Sequence, residues 1–586
     1  MNKQWDLTIL YNGFDDPKFA SDMAEFDKKI ADVIAFAEGA SALAPTELLL
    51  KRIELESGVS SLAEKLFIYA NLRYSANTAD TEAASTMGVL MGKLSAIAAP
   101  SAAVNKAIAK IENIEEIIEQ NEILKEHSYR ILTIVKNSKH LLSDAEESLF
   151  AEMDISGATA WSDLQSTLTS SLKVDYNGEQ ITLSSVRNLA YDPDPAVRQA
   201  AFKAELAAYP KIETATAFAL NSIKLQVINE AARRGYASPL AKALDNSAMK
   251  QETLDALLTA MNEYMPAFRK YLKAKAKALG HEGGLPWYDL VAPMGKSDKK
   301  YTTEDARDYL LGIFGKFDAE LHDMVKEAFD NAWIDFFPRE GKVGGAFDCA
   351  VHSAGQSRVL TNFDGSFSDI VTLAHELGHS FHDRQVYKNS PLNREYSMPV
   401  AETASTFNEV LVMNTAISEC EDKDTKLALI ESQLMDATQI IVDIYSRYLF
   451  ETSVFENRPQ EFLSPERMCE LMLDAQRNAY GDGLDENQMH PYMWLCKGHY
   501  YSGGLSFYNY PYAFGGLFAR GIYAKYLEEG NPFVETYKQM LRATGTSTVE
   551  DAAKVCGIDL TDVNFWRAGL ASIATQIDEF CELVAE

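Results

Sequence analysis

Two histidines stand four residues apart at His375 and His379, with Glu376 between them in the run T-L-A-H-E-L-G-H-S-F-H. This spacing constrains the fold more than any other feature of the chain. On a helix both imidazoles leave one face and can share one metal ion. Glu376 lies about 100° further round, in reach of a water on that ion without being a ligand itself. Two neutral imidazoles suit zinc, with a carboxylate as the expected third ligand where a fourth position stays open to water. The helix is well specified. Ile370, Val371, Leu373, Ala374, Leu377 and Phe381 give an apolar stripe, and Ser366 with Asp369 has capping-box spacing. Gly378 in mid-helix should cost about 1 kcal/mol relative to Ala. Close approach of a second backbone would explain it.

The third ligand is expected from Glu402. Residues 397–409 read as a second helix, with Pro399 tolerated in its first turn and apolar residues at 400, 404, 407 and 411. The polar connection 388–394 can turn the chain back, so an antiparallel helix pair would bring Glu402 to His375 and His379. Glu409, two turns on, shares that face. It either orients a ligand histidine or is an ordinary helix-face carboxylate.

A chain of 586 residues exceeds the size at which one core keeps growing, so at least two lobes are expected. The Asp192-Pro193-Asp194-Pro195 stretch marks the candidate boundary, giving an N-terminal helical lobe over 1–195 and a catalytic lobe over 196–586. A net charge of −30 argues against nucleic acid as a partner. It either favours cationic peptides or is a solvated surface without function. The start of the chain lacks the apolar core of a secretory signal, and no run of 18 apolar residues is found, so no membrane span is expected. Six scattered cysteines without a C-x-x-C pair fit reduced thiols and a cytoplasmic location.

Helical periodicity dominates, as in 19–37, 60–77, 102–125 and the series from 196 to 280. Asn177-Gly178 between alternating runs predicts a hairpin over 172–183. Residues 341–349 and 357–363 predict short strands just before the histidine helix, with Gly344 and Gly345 leaving backbone open to a ligand. An extended peptide could add to such an edge; alternatively the hairpin only shields the site. The segment 498–516 is rich in glycine and holds His499, Tyr500, Tyr501, Tyr508, Tyr510 and Tyr512. Its phenols and imidazole can grip a peptide carbonyl or an oxyanion, or they form an aromatic packing cluster. Gly503-Gly504 would let the segment move.

Three pieces together, L-A-H-E-L-G-H at 373–379, M-P-V-A-E-T-A-S at 398–405 and the His/Tyr segment from His499 to Tyr512, resemble the oligoendopeptidase F branch of the thimet-oligopeptidase-like zinc metallopeptidases. The resemblance covers 200–580 well and the N-terminal third more loosely. It implies a mainly all-α fold, with two helical lobes enclosing a deep channel, a small sheet beside the zinc helix, and short unstructured peptides as substrates. By motif matching His375, His379 and Glu402 would hold one zinc ion and Glu376 would be the base. His499 with Tyr508 and Tyr512, which would share a helical face, would bind substrate or the oxyanion. Tyr501, Tyr510, Gly344 and Gly345 would contact substrate. A monomeric endopeptidase is the expectation. The same site could instead serve an exopeptidase, or a non-catalytic peptide-binding protein with structural zinc.

Overall fold

A computed structural model describes residues 3–295 and 299–585, which are mostly helical, joined by loops, with two small sheets. The 19–37 pattern forms the helix Pro17–Gly39, capped by the Asp16 side chain, which accepts from the Lys18 N–H. The 60–77 pattern is the second half of a longer helix, Pro45–Ala76. The 102–125 pattern is not one helix but three, Ala98–Ile108, Ile114–Glu119 and Glu122–Glu126. Two asparagines make the breaks. Asn113 takes a left-handed φ of 53°, and the Asn121 side chain caps the next helix by accepting from the Ile123 and Leu124 N–H groups. Asparagine tolerates the left-handed backbone that ends a helix at 113, and at 121 its amide bonds locally and so competes with continuous helix. The predicted hairpin is β1 (Lys173–Tyr176) and β2 (Glu179–Thr182). Asn177 and Gly178 both have positive φ, 53° and 85°, as a two-residue turn of this hand needs.

The chain forms two compact units from interleaved pieces. One comprises Met1–Lys139, Lys299–Val412 and Tyr526–Ile558; the other His140–Asp298, Met413–Lys525 and Asp559–Glu586. A helix does begin at Pro195, behind an Asp194 cap, but packing does not divide there. Trp5, Tyr11, Phe19, Phe26, Leu66 and Tyr69 share one core with Val351 and Leu360. The apolar faces of the first helices are thus buried against strands that precede the histidine helix.

Those strands are β3 (Ile334–Asp335), β4 (Phe347–Val351) and β5 (Gln356–Leu360), in the order β3-β5-β4. β4 pairs antiparallel with β5, with Cys349 opposite Arg358, and forms one edge. The 341–346 stretch is a loop where a strand was expected. Lys342 holds it: the buried ammonium donates to the Asp335 carboxylate at 2.7 Å and the Phe337 carbonyl at 3.0 Å. Gly344 and Gly345 are exposed, and a Cβ at either would meet nothing within 4 Å. Packing therefore does not require glycine at either position, but the φ of 78° at Gly345 favours it there. The stretch 81–108 holds an 18-residue window of mean hydropathy 1.4, long and apolar enough by length and composition alone to cross a membrane, with 11% of that window buried. It is divided into Thr81–Ser95 and Ala98–Ile108. All six cysteines are free.

Candidate metal centre

The histidine helix runs Phe367–Val386, and its capping box is formed as predicted, with Ser366 accepting from the Asp369 N–H and Asp369 accepting from that of Ser366. Ile370, Leu373, Ala374, Leu377 and Phe381 are buried. The mid-helix glycine has its reason. A Cβ on Gly378 would lie 2.5 Å from the Ser405 Cα and 2.6 Å from the Ala404 carbonyl oxygen. The second backbone approaches that closely, and the Asn408 amide donates to the Ala374 carbonyl at 3.1 Å to tie the two segments.

That second segment is not one helix. A single turn, Met398–Ala401, ends at Glu402 (φ −87°, ψ 9°), and the helix Thr403–Glu419 follows. Pro399 supplies no N–H, and the turn closes by a tight bond from the Val400 N–H to the Ser397 carbonyl. Regular bonding resumes with the Thr406 N–H on the Glu402 carbonyl. Glu402 thus stands at the junction, with the Ser405 hydroxyl donating to its Oε2 at 2.8 Å.

Three donor atoms converge. The Nε2 atoms of His375 and His379 are 3.2 Å apart, and each lies 3.3 Å from Glu402 Oε2. A tetrahedral zinc ion with bonds of about 2.0–2.1 Å separates its ligands by about 3.3–3.4 Å. The triangle therefore has the edge length that ion requires, with an imidazole–imidazole–carboxylate donor set suited to it. Glu376 belongs to the same cluster: its carboxylate and the two imidazoles lie within 4.8 Å of one another.

The electrostatics favour a cation at this point. Burial opposes charge on His375, but hydrogen bonds to Glu402 and Glu409 prevail and raise it to about 10. Burial likewise opposes charge on Glu402, yet the two imidazoles hold it far below the usual carboxylate range. Glu376 behaves oppositely. Burial pushes its carboxyl up more than His375 and His379 pull it down. A main-chain hydrogen bond from Asp348 on β4 steadies it. Of the two readings open for Glu409, the geometry favours orientation, since its Oε1 bonds His375 Nδ1 and leaves Nε2 facing Glu402. Glu409→Gln is expected to weaken zinc binding about 10–100-fold, measured by competition with a chromophoric chelator.

The His/Tyr segment belongs to the other compact unit. Its rings do cluster: His499 lies 5.1 Å from Tyr508 and 6.0 Å from Tyr512, which are 5.5 Å from each other. They do not share a helical face, because the helix begins only at Tyr510. Instead the loop is pinned from below. The carboxylate of Glu451, paired with Lys224 at 2.6 Å, accepts from the Phe507 N–H at 3.0 Å and the Asn509 amide at 2.9 Å. Phe507 takes a φ of 55°. Nothing local in the sequence pointed to Glu451 or Lys224, whose pairing spans 227 positions. Burial, with Arg447 and Lys497 nearby, lowers the pKa of His499. Tyr501 and Tyr510 are corrected to core positions. Both are buried, and the Tyr510 hydroxyl lies 3.2 Å from Ser247 Oγ, so neither presents its ring to a substrate. Gly503 is also no free hinge, since a Cβ there would lie 2.6 Å from that of Ala158.

Comparison with known proteins agrees with the fold. The chain is 27% identical to oligopeptidase PepF of Bacillus subtilis, over 92% of its own length and 81% of that protein. It is 25% identical to an oligoendopeptidase F homolog of Lactococcus lactis, over 99% and 97%. Its fold matches the crystal structure of oligoendopeptidase-F from Enterococcus faecium with a TM-score of 0.72 at 20% identity, covering 97% of this chain and 99% of that one. A solved structure from Chlamydophila abortus gives 0.86 at 21%, covering 99% and 98%. The pattern described as Oligopeptidase F matches residues 109–173, and that of Peptidase family M3 matches 188–572. With most of its length under that second pattern, the chain belongs to peptidase family M3 and is a metallopeptidase.

Proposed function

We propose that this chain is a zinc endopeptidase that hydrolyses internal bonds of short unstructured peptides in the cytoplasm. The observation that carries the reading is the donor triangle of His375, His379 and Glu402 with the buried Glu376 carboxylate beside it. Zinc held there would polarise the scissile carbonyl and make water acidic near neutral pH. Glu376 accepts a proton from the attacking water and passes it to the leaving amine, a task that its raised pKa suits. Glu409 keeps a proton on His375 Nδ1. The reading assigns to His499, Tyr508 and Tyr512 the hydrogen bonds to the substrate carbonyl as it gains charge. The open backbone at Gly344 and Gly345, leading into the edge strand β4, suits an extended peptide. Relatives named as oligoendopeptidases support the internal cut, and free cysteines fit a reducing compartment.

An internally quenched peptide blocked at both ends tests this. Cleavage that a chelator stops and added zinc restores is expected. Cleavage only of peptides with a free end would replace the endopeptidase reading by an exopeptidase one. Zinc-bound protein that cuts neither would leave a peptide-binding role.

A further inference from the structure

The second compact unit encloses a cavity of about 270 Å³ that the peptidase reading does not use. Its walls carry four cationic side chains, Arg187, Arg198, Arg447 and Lys497, and two carboxylates, Glu205 and Asp443. Three of the cations are matched. Arg187 pairs with Glu205 at 2.7 Å, Arg198 with Asp289 behind the wall at 2.7 Å, and Arg447 with Asp443. Lys497 is the cation left over, with no ion pair among the described residues. Burial lowers its pKa, Arg447 lowers it further, and the already paired Asp443 offsets this only in part. Beside it Arg447 Nε is buried with no hydrogen-bond partner. Buried charges and buried donors are ordinarily satisfied, so both groups mark a missing acceptor of negative charge.

The rest of the lining says what kind of acceptor. Phe202, Trp287, Tyr288 and Met435 supply aromatic and apolar wall, which a bare inorganic ion would leave unused. One wall includes a π-turn, Gln439–Asp443, a backbone form that recurs at binding sites. A single unmatched cation calls for a single negative charge, and a doubly charged phosphate would overshoot it. The volume lies near the lower end of small-ligand pockets, roughly 300 Å³.

We propose that this cavity binds a small monocarboxylate with an apolar body, its carboxylate on Lys497 and Arg447 Nε and its body against Trp287 and Phe202. Such a group occurs on free aliphatic or aromatic acids and at the C-terminus of a short peptide. The site does not depend on the peptidase reading, because binding is measured without turnover.

Calorimetry on the zinc-loaded full chain tests it with phenylacetate and N-acetyl-Ala-Phe, each beside its uncharged amide. Saturable binding of an acid, at least tenfold tighter than its amide, is expected, and the tighter of the two acids identifies the source. Lys497→Met should cut that affinity at least tenfold with the helical circular dichroism unchanged. A carboxylate held on zinc instead would bind this variant as well as the unaltered chain, and that result overturns the proposal. So does equal binding of acid and amide, absence of saturable binding, or displacement of the acid by chloride at equal concentration. The acid–amide comparison uses the unaltered chain and holds even if the variant fails to fold.

Discussion

Replacing Glu376 with Gln is expected to leave one zinc ion per chain and to lower kcat by roughly 10²–10⁴-fold, with little change in KM. Glutamine keeps the size of the side chain and can still accept the main-chain hydrogen bond from Asp348. What it loses is the ability to take a proton from water and return it to an amine. The triangle of His375, His379 and Glu402 has no member removed, so metal content should not move. Metal analysis and steady-state kinetics on one preparation check both halves. Turnover above a tenth of the unaltered rate would remove Glu376 from its role as base.

Gly378→Ala should do damage of a different kind. Helix propensity alone makes alanine better here by about 1 kcal/mol, so a stabilised variant is the naive expectation. The contact distances reverse the sign. The new Cβ would sit 2.5 Å from Ser405 Cα and 2.6 Å from the Ala404 carbonyl oxygen, and both are backbone atoms that no rotamer change can move aside. The helices must separate. Separation carries away Ser405, which holds Glu402 Oε2, and opens the 3.3 Å edges on which the proposed zinc site depends. A net loss of about 2 kcal/mol in stability is expected, with zinc affinity down at least tenfold. Urea unfolding and a zinc titration read the two effects. A variant more stable than the parent would show that the backbones are not in contact at this point.

The candidate metal centre was legible in the sequence for a physical reason. His375, Glu376 and His379 lie within one turn, where helix geometry alone decides which side chains meet. The cap at Ser366 and the glycine at 378 are similarly local signals with one structural explanation each. Glu402 needed one further assumption, a chain reversal over 388–394, and periodicity did not foretell the break in the helix at that residue. Legibility failed where long-range packing decides. The aromatic run around Tyr501 and Tyr510 carries no mark of which rings face inward. That depends on Glu451 and Lys224, far away in sequence. The 102–125 segment has helical spacing throughout, yet a left-handed backbone at Asn113 and a side-chain cap at Asn121 cut it, and apolar periodicity registers neither. Interleaving was hidden as well, since no local pattern says that Phe26 will share a core with Leu360.

Interleaving also sets an order of events during synthesis. The helix Pro532–Ala543 and the residues after it lie behind the histidine helix: His382 Nε2 is 2.8 Å from Thr544 Oγ1, Asn389 donates to the Arg542 carbonyl at 2.9 Å, and Tyr537 stacks on Phe407 at 4.9 Å. Ribosomes add roughly 5–20 residues each second. All the proposed zinc-binding side chains therefore emerge roughly 8–30 seconds before the segment that backs them is complete. A nascent chain passes through a stage in which it can present the imidazoles but not brace them. A premature stop after Val412 would freeze it there, with every ligand present and the centre still unfinished.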